Sequence, residues 1–523
     1  MEEDILYGKN RHFFGGIAPS NMRKFTAKFN SDGSILTITA ELPLDTILDG
    51  QMVCCVGGAV IRKSYTHYPK DEFDGELVAD IKSDSTFTIN NSHEGITYLA
   101  AFPYSKQGVY NRNKANRTER DSRLPYTYLF GYDLDLDDPD PATRVSYPDE
   151  VYNYGFEPAR MLTNEFTYGD WPNNPGDAFM PKPCMLKNDG TVGYYLNHND
   201  YSKKEDGTTS DVANTSYDGN AMMEWPKIYT KRWEENGVYH FRCSDFKIDE
   251  DWDCWCNYDK NDNEIDHFYT AIYQGSAIST DGANRLRSIS GAFAIAGTSY
   301  GMSAFSTYAK RNSEDYDIGL LVDRLLVNDL LVMITKTTDL QTAIGVGART
   351  YGTIYDSGEL DTKGLFWGSS KTGTVTDPVK VFGMENYWGN RIQFMLGWCA
   401  DYGTQGFKFT YGKKDGSSNY GYNYIPSSGG YITSIMPAVT SNRSGYIKGC
   451  MTTKFGRIPY TNGGSATEYE SDHLSLSTGS GVLTTGEVSD SYYTGGPFQC
   501  NPNASYNGNS NVGASLSCKP TRR

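Results

Sequence analysis

Apolar and polar residues alternate with a period of two through much of the first hundred positions. Phe25-Thr-Ala-Lys-Phe29, Ile35-Leu-Thr-Ile-Thr39, Met52 to Ile61, Thr86-Phe-Thr-Ile89 and Thr97-Tyr-Leu-Ala-Ala-Phe102 alternate or run apolar. Turn formers such as Asn30-Ser-Asp-Gly33 and Asp49-Gly50 separate them, so the pattern reads as short strands. Strands at this spacing predict a β-sandwich of immunoglobulin-like size over residues 22–118. The polar, Pro-punctuated stretch that follows predicts a linker and connecting segment over 119–188. Strand patterns then return at Met222 to Tyr229, Gly237 to Cys243 and His267 to Tyr273. Two helical patterns follow, a short one over Met302 to Asn312 and a strong one over Asp317 to Thr337. In the second, Ile318, Leu321, Val322, Leu325, Leu326, Leu330 and Ile334 recur at helical spacing. Leu320, Val327, Leu331 and Met333 widen its apolar arc, which predicts a core helix nearly encircled by its domain. The fold class expected is mainly β, with an α+β C-terminal part.

Composition narrows the function. A chain of 523 residues exceeds what one core supports, so two or three domains are expected. Its 40 Tyr and 54 Gly suit a β-rich, loop-rich, surface-binding protein. A net charge of −16 argues against a nucleic-acid partner, which a phosphate backbone would supply with repulsion. No apolar run reaches the roughly 18 to 20 residues that cross a bilayer, and Asp323, Arg324 and Asp329 break the best helix. The start, MEEDILYGKN, carries acids where a signal peptide needs basic residues, so synthesis in the cytoplasm without one is expected. Residues 1–21, with HFFGGIAPSNM, read either as a docking arm onto a neighbouring subunit or as a strand leading into the next domain. The cysteines are too sparse for a disulfide framework, and mostly reduced thiols are expected. Cys500 and Cys518 could face each other across a final hairpin.

Candidate chemistry is thin. The run Asp133-Leu-Asp-Leu-Asp-Asp-Pro-Asp-Pro141 offers carboxylates to Ca²⁺ but lacks EF-hand spacing, and a solvated linker or strand edge is the plainer reading. The Asp259/Asn261/Asn263 series lacks the Gly and Glu of such a loop. His240, Cys243, Cys254, Cys256 and His267 are zinc-ligand types, yet Cys254-x-Cys256 is too tight for the usual pairs, and buried structural thiols are expected instead. There is no H-E-x-x-H and no P-loop. One G-x-S-x-G string, Gly297-Thr-Ser-Tyr-Gly301, stands between an apolar run and the short helix, with His473 the single histidine downstream of Ser299. No strand–helix alternation surrounds it, so a Gly-rich turn is the expectation. Neither a cofactor nor a metal is expected, and the chain is read as a non-enzyme.

The last stretch, Ser489 to Pro520, is SDSYYTGGPFQCNPNASYNGNSNVGASLSCKP. Short apolar anchors at Gly496-Pro497-Phe498 and Val512 to Leu516 flank Tyr, Asn, Ser and Gly. Rigid amphipathic rings beside short polar groups are the composition of binding loops. The candidate ligand-binding residues are therefore Tyr492, Tyr493, Gln499, Asn501, Asn503, Tyr506, Asn507 and Asn509, with Ser489 and Ser491 at the margin. Phe498, Val512 and Leu516 are expected to point inward.

This ending resembles the C-terminal variable region of phage proteins with a C-type-lectin-like fold, including those diversified by retroelements, in which a GPF-like segment and an NVGASLS-like strand frame the variable positions. Lys380-Val-Phe-Gly-Met-Glu-Asn-Tyr-Trp-Gly-Asn-Arg391 and Gly397-Trp398 are similar to the core strand of the formylglycine-generating-enzyme and C-type-lectin-like folds. The resemblance covers 189–523, with 489–520 as the variable-type segment. GITYLAAFPYSKQGVYNRNKAN resembles the penultimate strand and last turn of fibronectin type III-like modules of phage tails, and implies that Tyr98 packs on the core.

The resemblance implies a virion tail-fibre or baseplate protein that binds a host cell-surface receptor, protein or glycan, alongside other tail and baseplate proteins. It also implies a homo-oligomer, a trimer as in fibre-like tail proteins. Calcium-dependent sugar binding is not carried over, because the Glu-Pro-Asn and Trp-Asn-Asp triplets are missing, nor is the cysteine chemistry of the formylglycine-generating enzymes. A purely structural baseplate or head-decoration protein, and a cell-wall polysaccharide depolymerase, are the alternatives.

Overall fold

The computed structural model describes residues 17–29, 33–48, 51–122, 129–163, 165–280, 282–348, 354–369, 377–403, 406–411, 433–435, 443–476, 481–486, 496–498, 500–504 and 507–521. Strands dominate and helix is confined to a few segments, so the fold is mainly β. The chain divides into two compact units. One is Met1–Phe130 with Tyr147–Glu157 and Ser244–Phe246, and the other is Gly131–Ser146 with Pro158–Cys243 and Lys247–Arg523.

In the first unit, Lys24–Phe29, Ile35–Glu41 and Ser85–Asn90 form one antiparallel sheet. Glu76–Ile81, Val56–Ser64, Ile96–Ser105 and Arg117–Asp121 form another. Alternate side chains of a strand point to opposite faces. Accordingly Phe25, Ala27 and Phe29, then Leu36, Ile38 and Ala40, enter one core with Ala59, Ile61, Leu99 and Ala101 of the other sheet. The same alternation corrects the expectation for Tyr98. With Leu99 and Ala101 inward, Tyr98 is half-buried on the outer side, and its ring meets that of Tyr68 edge-on at 5.0 Å.

The second unit holds a seven-stranded sheet in the order Asp200–Lys204, Val192–Asn197, Lys182–Lys187, Gly219–Pro226, His267–Gln274, Ser515–Cys518, Tyr316–Ile318. A nine-stranded sheet runs Thr433–Ile435, Gly406–Tyr411, Ile392–Gly403, Gly481–Thr485, Cys500–Ala504, His473–Leu476, Arg443–Thr453, Gly456–Asn462, with Val512–Gly513 paired in parallel to Ile392 and Gln393. A four-stranded sheet joins Val145–Ser146, Phe130–Asp135, Val238–Ser244 and Tyr229–Glu235.

Several expectations change here. The segment read as a linker, 119–188, instead supplies strands to two of these sheets. The run Met222 to Tyr229 is divided at Pro226, which has no N–H to continue a ladder, and Tyr229 opens a strand of a different sheet. The long helix spans Leu321–Thr335 rather than starting at Asp317, because Tyr316–Ile318 pairs with Ser515–Cys518. Cys500 and Cys518 do not share a final hairpin, since their strands belong to different sheets, and Cys518 is a buried free thiol.

All residues of the long helix are buried, including Asp323, Arg324, Asn328 and Asp329. Buried polar groups demand partners. Asp323 receives Lys519 Nζ at 2.9 Å and Ser517 Oγ at 3.3 Å. Asp329 receives Tyr132 OH at 2.8 Å, Arg232 Nε at 2.8 Å and Tyr239 OH at 3.2 Å. The helix is therefore both apolar core and a polar fastening for strands distant in sequence.

Candidate functional site

The expected binding segment begins in a clamped frame. Gly496, Pro497 and Phe498 are buried. The carbonyl of Pro497 accepts from Arg324 Nη2 at 3.3 Å and Asn328 Nδ2 at 3.1 Å, both on the long helix. Asn328 is itself fixed, because Tyr387 OH donates to its Oδ1 at 3.0 Å. The backbone N–H of Phe498 donates to Asp472 Oδ2 at 2.8 Å, while Gln341 Nε2 donates to the other carboxylate oxygen at 2.8 Å. Burial pushes the Asp472 carboxyl up to about 7 against these hydrogen bonds. Only glycine fits at 496, since a Cβ there would collide with Asp472.

The closing frame is equally fixed. Val512, Leu516 and Cys518 are buried, as expected for Val512 and Leu516, and Phe498 is buried with them at the other end. Arg391 Nη1 donates to the Ser510 carbonyl at 2.8 Å and Arg391 Nε to that of Ala294 at 3.2 Å. Ile392 N donates to the Asn511 carbonyl at 3.0 Å.

Between the anchors, Asn507, Asn509 and Ser510 are exposed. Asn509 shapes its own loop, with Oδ1 accepting from Asn511 N at 3.1 Å, the local turn that Asx side chains favour. Its carbonyl accepts from Gly297 N at 3.0 Å, which lays this loop on the turn Gly297–Gly301. A Cβ on Gly508 would strike the Gly297 carbonyl and Thr298 backbone, so glycine permits the close approach.

Of the sequence-derived candidates, Asn501 and Asn503 lie on the strand Cys500–Ala504, and Asn507 and Asn509 on the exposed loop after it. Tyr492, Tyr493, Gln499 and Tyr506, with Ser489 and Ser491, lie outside the described residues. Sequence reasoning missed Phe293, which is 54% exposed, and Arg391 beneath its ring at 5.1 Å. A signal was present: residues 288–309 and 491–518 contain no Asp, Glu, Lys or Arg, and the loop contact brings these two stretches together.

The catalytic and metal candidates do not assemble. Ser299 is exposed on its turn, and His473 Nε2 lies 2.8 Å from Ser444 Oγ, not beside Ser299. His240 Nδ1 contacts Asp133 Oδ1 at 2.8 Å, and Cys256 donates to the Val322 carbonyl at 3.4 Å. Among the described residues no group of three or more His, Cys, Asp or Glu could hold a metal ion. The acidic run is used locally: Asp133 pairs with Arg242 at 2.8 Å, and Asp135 and Asp140 cap following backbone N–H groups. A concavity of about 210 Å³ is lined by Glu264, Asp266, His267 and Tyr269, among others. Next to it, Glu224 accepts from Tyr269 OH and Tyr195 OH at 3.0 Å each.

One pair of perturbed groups is internal. Lys380, fully buried, donates to the Leu360 carbonyl at 2.8 Å over the ring of Tyr201. Glu385 accepts from Gly358 N at 2.9 Å and Leu360 N at 3.0 Å. Burial lowers the lysine and raises the glutamate. Together they lock the Gly383-Met-Glu-Asn-Tyr-Trp388 turn, whose Trp388 Nε1 donates to Gly345 and Val346 carbonyls at 3.2 Å. Perturbed groups mark function only when they reach a cleft; these are enclosed.

No helix among the described residues is long and apolar enough to cross a membrane. The chain matches no family model and no curated protein.

Proposed function

We propose that this chain is a phage tail-fibre or baseplate protein that binds a host cell-surface receptor through the C-terminal segment 489–520 of a C-type-lectin-like domain. The first unit is then a fibronectin type III-like spacer, and the whole assembles as a homo-oligomer with other tail proteins in the virion. One observation carries this reading. A buried, clamped Gly496–Phe498 and a buried Val512–Cys518 bracket an exposed loop of Asn and Ser. Rigid ends with a polar, adaptable middle are what a recognition loop needs, because preordered ends lower the entropic cost of binding. Many copies on one particle would add weak contacts into strong attachment.

The test is binding of the purified chain to host cells, comparing wild type with the combined Tyr492→Ala, Tyr493→Ala and Tyr506→Ala variant. Loss of binding at an unchanged melting temperature is expected. Unaltered binding would move the receptor face elsewhere, and absence of binding by wild type would favour a purely structural virion role.

A further inference from the structure

We propose that Phe293 and the turn Gly297–Tyr300 form one recognition surface with the loop Asn507–Asn511, and that this surface takes a neutral saccharide. The proposal rests on the reading of 489–520 as the receptor face and extends it to a second chain segment and a ligand class.

The juxtaposition is set by three contacts. Gly297 N donates to the Asn509 carbonyl at 3.0 Å. Gly508 sits on the Gly297–Thr298 backbone with no room for a side chain. The guanidinium of Arg391 holds the Ser510 and Ala294 carbonyls and lies 5.1 Å from the centroid of the Phe293 ring. Phe293 is thereby fixed beside the loop with one ring face over a buried cation and the rest toward solvent. Among the residues with described side chains, Phe293 is the exposed phenylalanine of the second unit.

The turn and the loop that meet there carry Thr298, Ser299, Asn507, Asn509 and Ser510, all exposed. Hydroxyls and amides both donate and accept, which matches the vicinal hydroxyls of a sugar. An apolar ring face matches the C–H face of a pyranose, whose burial is favourable. Charge selects among saccharides. Neither contributing stretch carries an ionised side chain, whereas the chain as a whole is at −16. Asp356, exposed, pairs with Phe293 across an isolated bridge and borders the patch with a carboxylate. Acidic glycans would be repelled from that border, and neutral ones would not.

The experiment uses the full chain on an array of neutral and acidic oligosaccharides and on host cells treated with either periodate or protease. Variants are Phe293→Ala, Thr298→Ala with Ser299→Ala, and Ser510→Ala, each with its melting temperature. The result expected is binding to neutral glycans, varying less than about twofold between low and high salt because uncharged contacts are not screened. Phe293→Ala should weaken it about tenfold or more, as loss of a central aromatic anchor does, at an unchanged melting temperature. Periodate, but not protease, should remove cell binding. Phe293→Ala binding like wild type would overturn the shared surface, while the C-terminal face stands if the Tyr492/Tyr493/Tyr506 variant still loses binding. Binding to acidic glycans only, or cell binding abolished by protease alone, would overturn the ligand class. Wild type that binds neither cells nor array would overturn this inference and the receptor reading together.

Discussion

Replacing Asp329 by Asn should destabilise the second unit by about 3–5 kcal/mol, the usual cost of removing one partner from a buried ion pair. Asp329 is 1% exposed, and Arg232 Nε reaches its Oδ2 at 2.8 Å from a side chain that is equally enclosed. Asn retains an oxygen for Tyr132 OH and Tyr239 OH, so the loss isolates the charge. Arg232 would keep only neutral acceptors, Thr230 Oγ1 and the Lys454 carbonyl. Asp329→Leu should cost more, because it also strands two buried phenols at roughly 1–3 kcal/mol each. The assay is urea unfolding followed by tryptophan fluorescence, which reports on the second unit alone, since all 8 Trp lie within its boundaries. Combining Asp329→Asn with Arg232→Met should recover most of the loss, because an apolar replacement no longer needs the carboxylate, and the cycle should show strong coupling. A single-variant loss below about 1 kcal/mol, or additive losses in the double variant, would refute a desolvated, mutually dependent pair.

Asn328→Ala removes the donor to the Pro497 carbonyl and the acceptor of Tyr387 OH, so a loss of about 2–4 kcal/mol is expected together with weakened receptor binding; full binding by a folded variant would show that the clamp does not position the face. The Asp472 carboxyl has a folded value near 7 against 3.8 when free, so its contribution is complete below about pH 4 and fades as pH rises through 7. Glu385, also raised by burial, acts in the same direction over this window. Melting temperatures measured from pH 7.5 down to 5 should therefore rise, and Asp472→Asn should flatten the slope; a slope identical to wild type would remove Asp472 as its source. Among the cysteines with described side chains, half-exposed Cys55 and Cys450 should alkylate first, while Cys184, Cys254, Cys256 and Cys518, buried and raised by desolvation, should react only on unfolding. Peptide mapping after a short iodoacetamide pulse decides this.

The sequence showed the elements whose patterns are local. Strand alternation placed Phe25, Ala27, Leu36 and Ile38 correctly, and helical spacing found the long helix. What it could not show is which distant segment claims a residue. Asp317 and Ile318 continue the helical pattern, yet Ser517 and Leu516, some two hundred positions later, draw them into a ladder. The polar residues of the helix posed a similar problem. Asp323, Arg324 and Asp329 spoke against a bilayer from sequence alone, but their task, holding Lys519, Pro497 and Tyr132, needs the partners in view. The Cys500–Cys518 hairpin rests on proximity in sequence alone; Val512–Gly513 still pairs within the sheet of Cys500, and the chain changes sheet only at Ser515–Cys518, which pairs with His267–Gln274 and Tyr316–Ile318. For the face itself, composition marked the loop. It did not mark Phe293, whose relevance depends on a single guanidinium beneath it.

The clamps on the proposed face hold backbone atoms. Arg324 and Asn328 grip the Pro497 carbonyl, Asp472 accepts from the Phe498 N–H, Arg391 takes the Ser510 carbonyl and Gly297 the Asn509 carbonyl. Backbone groups are the same whatever side chain stands there, so a frame built this way tolerates exchange of exposed side chains without loss of its ends. The tolerance has a defined limit. Ser510→Tyr should fold with a melting temperature within about 2 °C of wild type, in keeping with the small effect of most surface substitutions, since Arg391 grips its carbonyl while its exposed hydroxyl makes only long contacts to the neighbouring Asn509 Oδ1 and Asn511 Oδ1, at 3.3 and 3.5 Å. Gly508→Ala should not, because the added Cβ must push the loop off the Gly297–Thr298 backbone. Overpacking of this kind costs typically 1–3 kcal/mol. Thermal scans of the two variants side by side decide the matter: equal losses would mean that side-chain contacts, rather than backbone clamps, hold the loop in place.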